Sequence, residues 1–187
     1  MGRKFFTRKG DDGTTGWLGS GRLAKYDMRI EAVGNLDEGS SLIGTARAVI
    51  NNPELSPILI QIQRDLYAIM TEISADEKNA VRFPRIDESR VIWLENRIAD
   101  LSAATPMPED FILPGDSLPG AFVDNARTAV RRAERRTVEF LNENHVNKPA
   151  ILSYLNRLSS LLFILELNVN QSAGIDHPLL AGRSQPR

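Results

Sequence analysis

Leu59, Ile62, Leu66, Ile69 and Ile73 follow one another at steps of three or four residues. That spacing lays one continuous apolar seam along a helix over about residues 55–77, and such a seam is stable only against other helices. The same rhythm recurs along the chain. Ile30, Val33, Leu36, Ile43 and Ala46 mark a helix over about 28–50, while Val91, Leu94, Ile98 and Leu101 mark another, with Asp87 as its N-cap. An arginine-rich helix runs from about Pro119 to Asn144. Pro149 then opens a last one carrying Leu152, Leu155, Leu158, Leu162, Leu165 and Asn168. No stretch reads as a strand and no internal repeat is present. The expected fold is therefore all-α, a five-helix up-and-down bundle of the ferritin-like, four-helix-bundle type. It would lack a di-iron site, because His145 and His177 stand outside any Glu-x-x-His spacing. Residues 26–173 would form the bundle, 1–25 a basic glycine-rich loop of the same domain, and 174–187, with little periodicity, a disordered tail.

Composition narrows the function. The net charge of −1 argues against a polycation that binds nucleic acid. The absence of cysteine rules out disulfides, thiolate metal sites and a cysteine nucleophile. The opening residues lack the apolar core of a signal peptide and no run approaches a membrane span, so a cytoplasmic setting is expected. Two histidines leave little room for Ser/His/Asp catalysis, and no protein-held metal site is visible.

Positive charge is instead concentrated locally. Ala126–Val138 carries five arginines, and Arg127, Arg131 and Arg135 fall four apart on one stripe. Ala126, Val130, Ala133 and Thr137 form a small, apolar stripe able to pack against a neighbour, and Arg132 and Arg136 lie on a third line. Glu134 stands three residues after Arg131, within reach of it. A row of guanidinium forks beside a packing seam suits a polyanion, although an exposed salt-bridged face would look the same. The N-terminal loop adds Arg3, Lys4, Arg8, Lys9, Arg22 and Lys25 among glycines Gly10, Gly13, Gly16, Gly19 and Gly21, with hydroxyls at Thr7, Thr14 and Thr15. It could cradle an oxyanion or be a loose arm; it matches neither a Walker loop nor a GxGxxG turn. Asp37 and Glu38 interrupt the small-residue surface of the first helix, and Asp37, one turn after Val33, could enter a buried ion pair with an arginine. The long loop of residues 102–119 holds the apolar Phe111-Ile-Leu-Pro-Gly115, either a plug on the core or a lid over a ligand.

Taken in order, Thr7–Thr15, Lys25–Glu38, Phe111–Gly115, Ala126–Arg136 and Tyr154–Ser159 resemble the ATP:cob(I)alamin adenosyltransferases of the propanediol-utilisation type, related to the human mitochondrial enzyme. The resemblance covers about residues 5–170. It implies transfer of the 5′-deoxyadenosyl group of ATP to cob(I)alamin, giving adenosylcobalamin and triphosphate, in a homotrimer with sites between subunits. By the same resemblance, Thr7, Arg8, Lys9, Gly10, Thr15, Gly16 and Lys25 hold the triphosphate of ATP. Arg131, Arg132, Glu134 and Arg135 continue that clamp, and Asn156 touches the nucleotide. Asp37 pairs with Arg131 across the subunit boundary, and Phe111 stands below the cobalt, where it excludes the lower axial ligand. Arg131, Arg135, Asp37 and Phe111 are the catalytic group, with Asp37 and Phe111 also on the corrinoid side. Mg²⁺ travels on the phosphates. A corrinoid reductase and an adenosylcobalamin-dependent enzyme would be partners.

Several positions depart from the family pattern. Lys9 replaces a small hydroxyl residue, Asp12 a lysine, Asp116 a glycine and Ser160 an aspartate, and Asp124 lies in a stretch that usually contains histidine. Asp12 places a negative charge beside the expected triphosphate. The competing expectations are a non-catalytic ATP- or corrinoid-binding homologue that carries or senses adenosylcobalamin, and a helical scaffold that binds acidic partners.

Overall fold

The computed structural model describes residues 6–182; Arg3 and Lys4 of the basic loop and residues 183–187 of the tail lie outside the described residues. Five long helices form the body: α1 (Met28–Ile50), α2 (Leu55–Ser74), α4 (Glu88–Ala104), α5 (Leu118–Glu143) and α6 (Pro149–Ser172), with a single turn, α3 (Glu77–Ala80), between α2 and α4. They pack side by side in the order α2, α1, α5, α6, α4. Glu38 pairs with Arg132 and Gly39 meets Val130, so α5 descends where α1 rises. The expected bundle is present.

Local signals set the helix ends. Asp27 accepts from the Arg29 amide, Asp87 from the Arg90 amide and Ser117 from the Gly120 amide, each closing an N-terminus that would otherwise expose free N–H groups. Pro149 stands in the first turn of α6, where its missing N–H costs nothing. The seam of α2 is buried throughout, and so is the small stripe of α5: Ala126, Val130, Ala133 and Thr137 are at most 1% exposed. That stripe lies on α1, and a Cβ at Gly39 would stand 3.4 Å from Val130 Cγ2, so the small residues of α1 serve close helix packing within the chain.

α6 is long and apolar enough by composition to cross a membrane, contrary to the expectation that no run approaches a span, but it is the buried core helix of the bundle. One polar knot sits among the apolar layers. Asp65 accepts from Arg90 Nη2 at 2.6 Å, Tyr154 Oη at 2.8 Å and Gln61 Nε2 at 3.0 Å, tying α2 to α4 and α6. Burial, with Asp65 alongside, holds the Tyr154 hydroxyl far above its usual pKa, so it stays a donor. Asp65→Ala should cost about 2–4 kcal/mol in urea unfolding, because it strands Arg90 and Tyr154 without their acceptor; a loss below about 1 kcal/mol would show the knot to be dispensable.

Two expectations need correction. Thr14–Thr15 and Leu23–Ala24 form a two-stranded antiparallel ladder, β1 and β2, where no strand was expected. Residues 174–182, expected to be a disordered tail, instead lie along the loop between α4 and α5. Ala181 N donates to Phe111 O at 2.8 Å and Leu113 N to Leu179 O at 2.7 Å. Within the apolar segment of that loop, Ile112 is half-buried and bridges Leu180 of the tail, while Phe111 is 84% exposed.

Candidate functional site

The basic N-terminal segment is a built structure. Arg22 donates through Nη2 to Lys9 O at 2.7 Å and through Nε to Thr14 Oγ1 at 2.7 Å, pinning the turn of residues 8–13 to the β1–β2 hairpin. Asp12 accepts from Thr14 N at 2.9 Å and Thr14 Oγ1 at 2.7 Å, and these bonds hold its pKa below the usual carboxylate value. Asp12 therefore stays an anion and shapes the turn through Thr14. Gly13 has φ +81°, so it permits the turn that brings Lys25 N to Gly13 O at 2.9 Å. The Lys25 amine lies against Gly10. Leu18 then bridges Ala75 at the end of α2, and Arg29 lies between the Trp17 and Phe140 rings at 4.7 and 4.8 Å. Thr7, Arg8, Lys9, Gly10, Thr15, Gly16 and Lys25 all belong to this unit. Arg22, which sequence reading counted only as a charge, is the residue that fixes its shape.

The arginines of α5 divide by face. Arg132 turns to α1, where it bonds Asn35 and pairs with Glu38, while Arg136 pairs with Glu139. Arg131 and Arg135 are exposed and have no ion-pair or hydrogen-bond partner among the described residues. Glu134, expected within reach of Arg131, instead accepts from Asn156 Nδ2 on α6 at 3.2 Å. Asn156 is further braced by Arg157, which pairs with Glu95 of α4. Arg131, Glu134, Arg135 and Asn156 thus share the open α5–α6 face. Asp37 is exposed on α1. Among the described residues no hydrogen bond or ion pair joins the hairpin, or Asp37, to Arg131 or Arg135 within the chain.

A cavity of about 480 Å³ opens one turn before Arg131 on the same face, lined by Met107, Pro108, Phe111, Arg127, Phe163 and Glu166 among others. At about 1.5 Å per residue, Arg127, Arg131 and Arg135 step from its wall at roughly 6 Å intervals. At the start of α5, Gly120 lets α6 approach closely: a Cβ there would fall 2.1 Å from Asn170 Oδ1, which accepts from Ser117 Oγ at 2.5 Å. The Phe111 loop is held by Asp110 Oδ1, which accepts from the Phe111 amide at 2.8 Å, and by Asp116, which accepts from Leu179 N at 3.1 Å.

Sequence reading missed Glu166, an acid within the leucine series of α6. It is 1% exposed; neither carboxyl oxygen accepts from an N–H or hydroxyl among the described residues, and its carboxyl meets that of Asp124. Burial, and next the charge of Asp124, raise its pKa to about 7. The native state therefore holds a proton that the unfolded chain gives up near its ordinary value of 4.5. Stability contributed by this proton is present at pH 4 and lost as pH rises through about 7. Glu166→Gln should remove that fall, gaining about 1–2 kcal/mol over wild type at pH 8 and little at pH 4 in denaturant melts. Parallel pH profiles for the two proteins would contradict this.

Fold and geometry together give a helical bundle in which an exposed arginine pair on α5 follows a cavity lined in part by Phe111. Residues 5–169 match the family model described as cobalamin adenosyltransferase. A protein of Cupriavidus metallidurans named cobalamin adenosyltransferase is 38% identical over 172 residues, covering 91% of this chain and 90% of that one. The corrinoid adenosyltransferase of Bacillus subtilis is 37% identical over 182 residues, covering 92% and 89%. A solved variant of the PduO-type ATP:corrinoid adenosyltransferase from Lactobacillus reuteri, complexed with cobalamin and ATP, superposes with a TM-score of 0.87 at 30% identity, covering 96% of this chain and 100% of that one. The chain belongs to the cobalamin adenosyltransferase family.

Proposed function

We propose that this chain transfers the 5′-deoxyadenosyl group of ATP to cob(I)alamin, giving adenosylcobalamin and inorganic triphosphate. The observation that carries the reading is the single α5 face on which the Phe111 cavity is followed by two exposed guanidiniums with no partner among the described residues. The corrinoid enters the cavity with cobalt over the Phe111 ring, and the triphosphate lies on Arg131 and Arg135. The electron pair of Co(I) forms the bond to C5′. The C5′–O bond breaks, and its electrons leave with the triphosphate. Charge gathers on that leaving group, so fixed cations lower the barrier. No general base is required, because Co(I) is itself the nucleophile. In this reading Asn156 meets the nucleotide, and its bonds to Glu134 and Arg157 support a fixed orientation for it. Mg²⁺ enters on the phosphates of ATP.

The hairpin completes the nucleotide site from a neighbouring copy, in a homotrimer where Asp37 of one subunit meets Arg131 of the next. The hairpin's basic groups and the arginine face are both ordered within one chain yet unjoined there, which supports this assembly. Asp37→Ala should then shift the trimer toward smaller species in light scattering and raise the KM for ATP; an unaltered trimer with full activity would remove the pairing. The protein works in the cytoplasm, with a corrinoid reductase supplying Co(I) and an adenosylcobalamin-dependent enzyme taking the product.

The direct test is anaerobic incubation of chemically reduced cobalamin with Mg-ATP, following adenosylcobalamin by absorbance and triphosphate alongside. Product with stoichiometric triphosphate is expected. Saturable ATP binding without product would leave a carrier or sensor, and no nucleotide binding would leave a scaffold.

A further inference from the structure

The Phe111 cavity has a charge lining that adenosyl transfer does not call for. Asp110 of the loop, Asp124 of α5 and Glu166 of α6 line it together with one cation among the described lining residues, Arg127. That cation is committed to Asp124, with Nη2 at 2.6 Å and Nε at 2.7 Å from Oδ1. Asp116, at the end of the loop, adds a further negative field at Glu166. The Glu166 carboxyl is buried, accepts no N–H or hydroxyl among the described residues, and meets the Asp124 carboxyl in a hydrogen bond. Two facing carboxyls share at most one proton, so their remaining lone pairs in a cavity wall are where a ligand can supply an N–H.

Adenosyl transfer as proposed above makes the occupant of this cavity a corrinoid, and the inference rests on that reading. A corrin ring is fringed by short side chains that end either in primary amides or in free carboxylates. An amide brings N–H donors to an acceptor, whereas a carboxylate brings a second anion into a partly dehydrated wall. We propose that Glu166, with Asp124 beside it, is a specificity-determining contact for the ring edge, accepting amide N–H groups and turning away corrinoids that carry a free carboxylate there. Arg127 does not reverse this preference, since its charge is matched by Asp124 before any ligand arrives. The carboxyls of Asp110 and Asp116 lie on the loop side and reinforce it. Discrimination therefore strengthens as pH rises from 6 to 8, because Glu166 passes through its raised pKa of about 7 and becomes an anion. Asp124→Asn is the weaker probe, because it also frees Arg127.

The test is equilibrium binding, read from the corrinoid absorbance under anaerobic conditions with ATP present. It compares a fully amidated Co(II) corrinoid with its monocarboxylate derivatives, for wild type, Glu166→Gln and Glu166→Ala, and uses ATP affinity as the folding control. Wild type at pH 8 should bind the amide at least about tenfold more tightly than at least one monocarboxylate, and both variants should narrow that ratio to about threefold or less. A wild-type ratio near one for every derivative, or a ratio that survives both substitutions, would overturn the contact while leaving adenosyl transfer intact. Failure of wild type to bind any corrinoid, with ATP still bound, would instead sink the adenosyltransferase reading and this contact with it.

Discussion

Arg131→Ala should lower turnover of cob(I)alamin with Mg-ATP by about 10²–10³-fold, the range typical for removing one fixed charge-stabilising donor from a transition state. The guanidinium is exposed and has no ion-pair or hydrogen-bond partner among the described residues, so its loss removes no contact within them. Unfolding free energy should therefore stay within about 0.5 kcal/mol of wild type. Arg131→Lys should recover only part of the rate, because an ammonium restores charge without the planar fork that grips two phosphate oxygens. Single-turnover kinetics, together with a light-scattering check that the assembly is unchanged, separates a catalytic loss from a broken subunit contact. A loss below about threefold would assign the arginine row to solvation or to acidic partners.

The second large effect is expected at Phe111. An aromatic side chain left 84% exposed at the mouth of a cavity is an unusual expense, and its backbone is fixed on both sides by the tail and by Asp110. Covering such a ring is worth about 1.5–3 kcal/mol, or roughly 10–150-fold in an equilibrium or rate. If the ring fills the space below the cobalt, Phe111→Ala should cut turnover by about that factor, while the KM for ATP moves less than about threefold. Phe111→Leu should recover part of the loss if bulk alone matters. An equal rise in the KM for ATP would sink the assignment, since the nucleotide groups sit one to two turns farther along α5. Stability should not fall, because an exposed ring supports no core.

How legible all this was in the sequence depended on the length of each pattern. α1 has the expected bounds, Asp87 caps α4, and Ala126, Val130, Ala133 and Thr137 are buried as their spacing implied, because each signal repeats over several turns. The β1–β2 ladder has two residues per strand, too few for an alternating pattern to register. The fate of Glu134 was not readable either. Arg131 and Asn156 were both sterically available to it, and the choice of Asn156 depends on how α6 sits against α5. Asp12 was read by charge alone, and only its bonds to Thr14 show that it shapes the turn. Glu166 and Asp65 share one overlooked signal, a carboxylate inside an apolar helical series. For Asp65, between Ile62 and Leu66, the structure supplies three donors; for Glu166, four residues after Leu162, it supplies only the facing carboxyl of Asp124 among the described residues. The tail was misjudged because its order comes from pairing with a distant loop.

That pairing bears on how the protein is made. The aromatic loop and the segment that braces it are roughly 70 residues apart in sequence, a long-range closure that forms late in folding. Because synthesis runs from the N-terminus, the arginine face can be assembled while the Phe111 loop still lacks its brace. A chain interrupted after α6 would thus display the cations of the nucleotide side with an unbraced aromatic. Two backbone hydrogen bonds also make a cheap latch, so the Leu113 and Ala181 amides should be among the first in this region to exchange with solvent, well before the helices beneath them open.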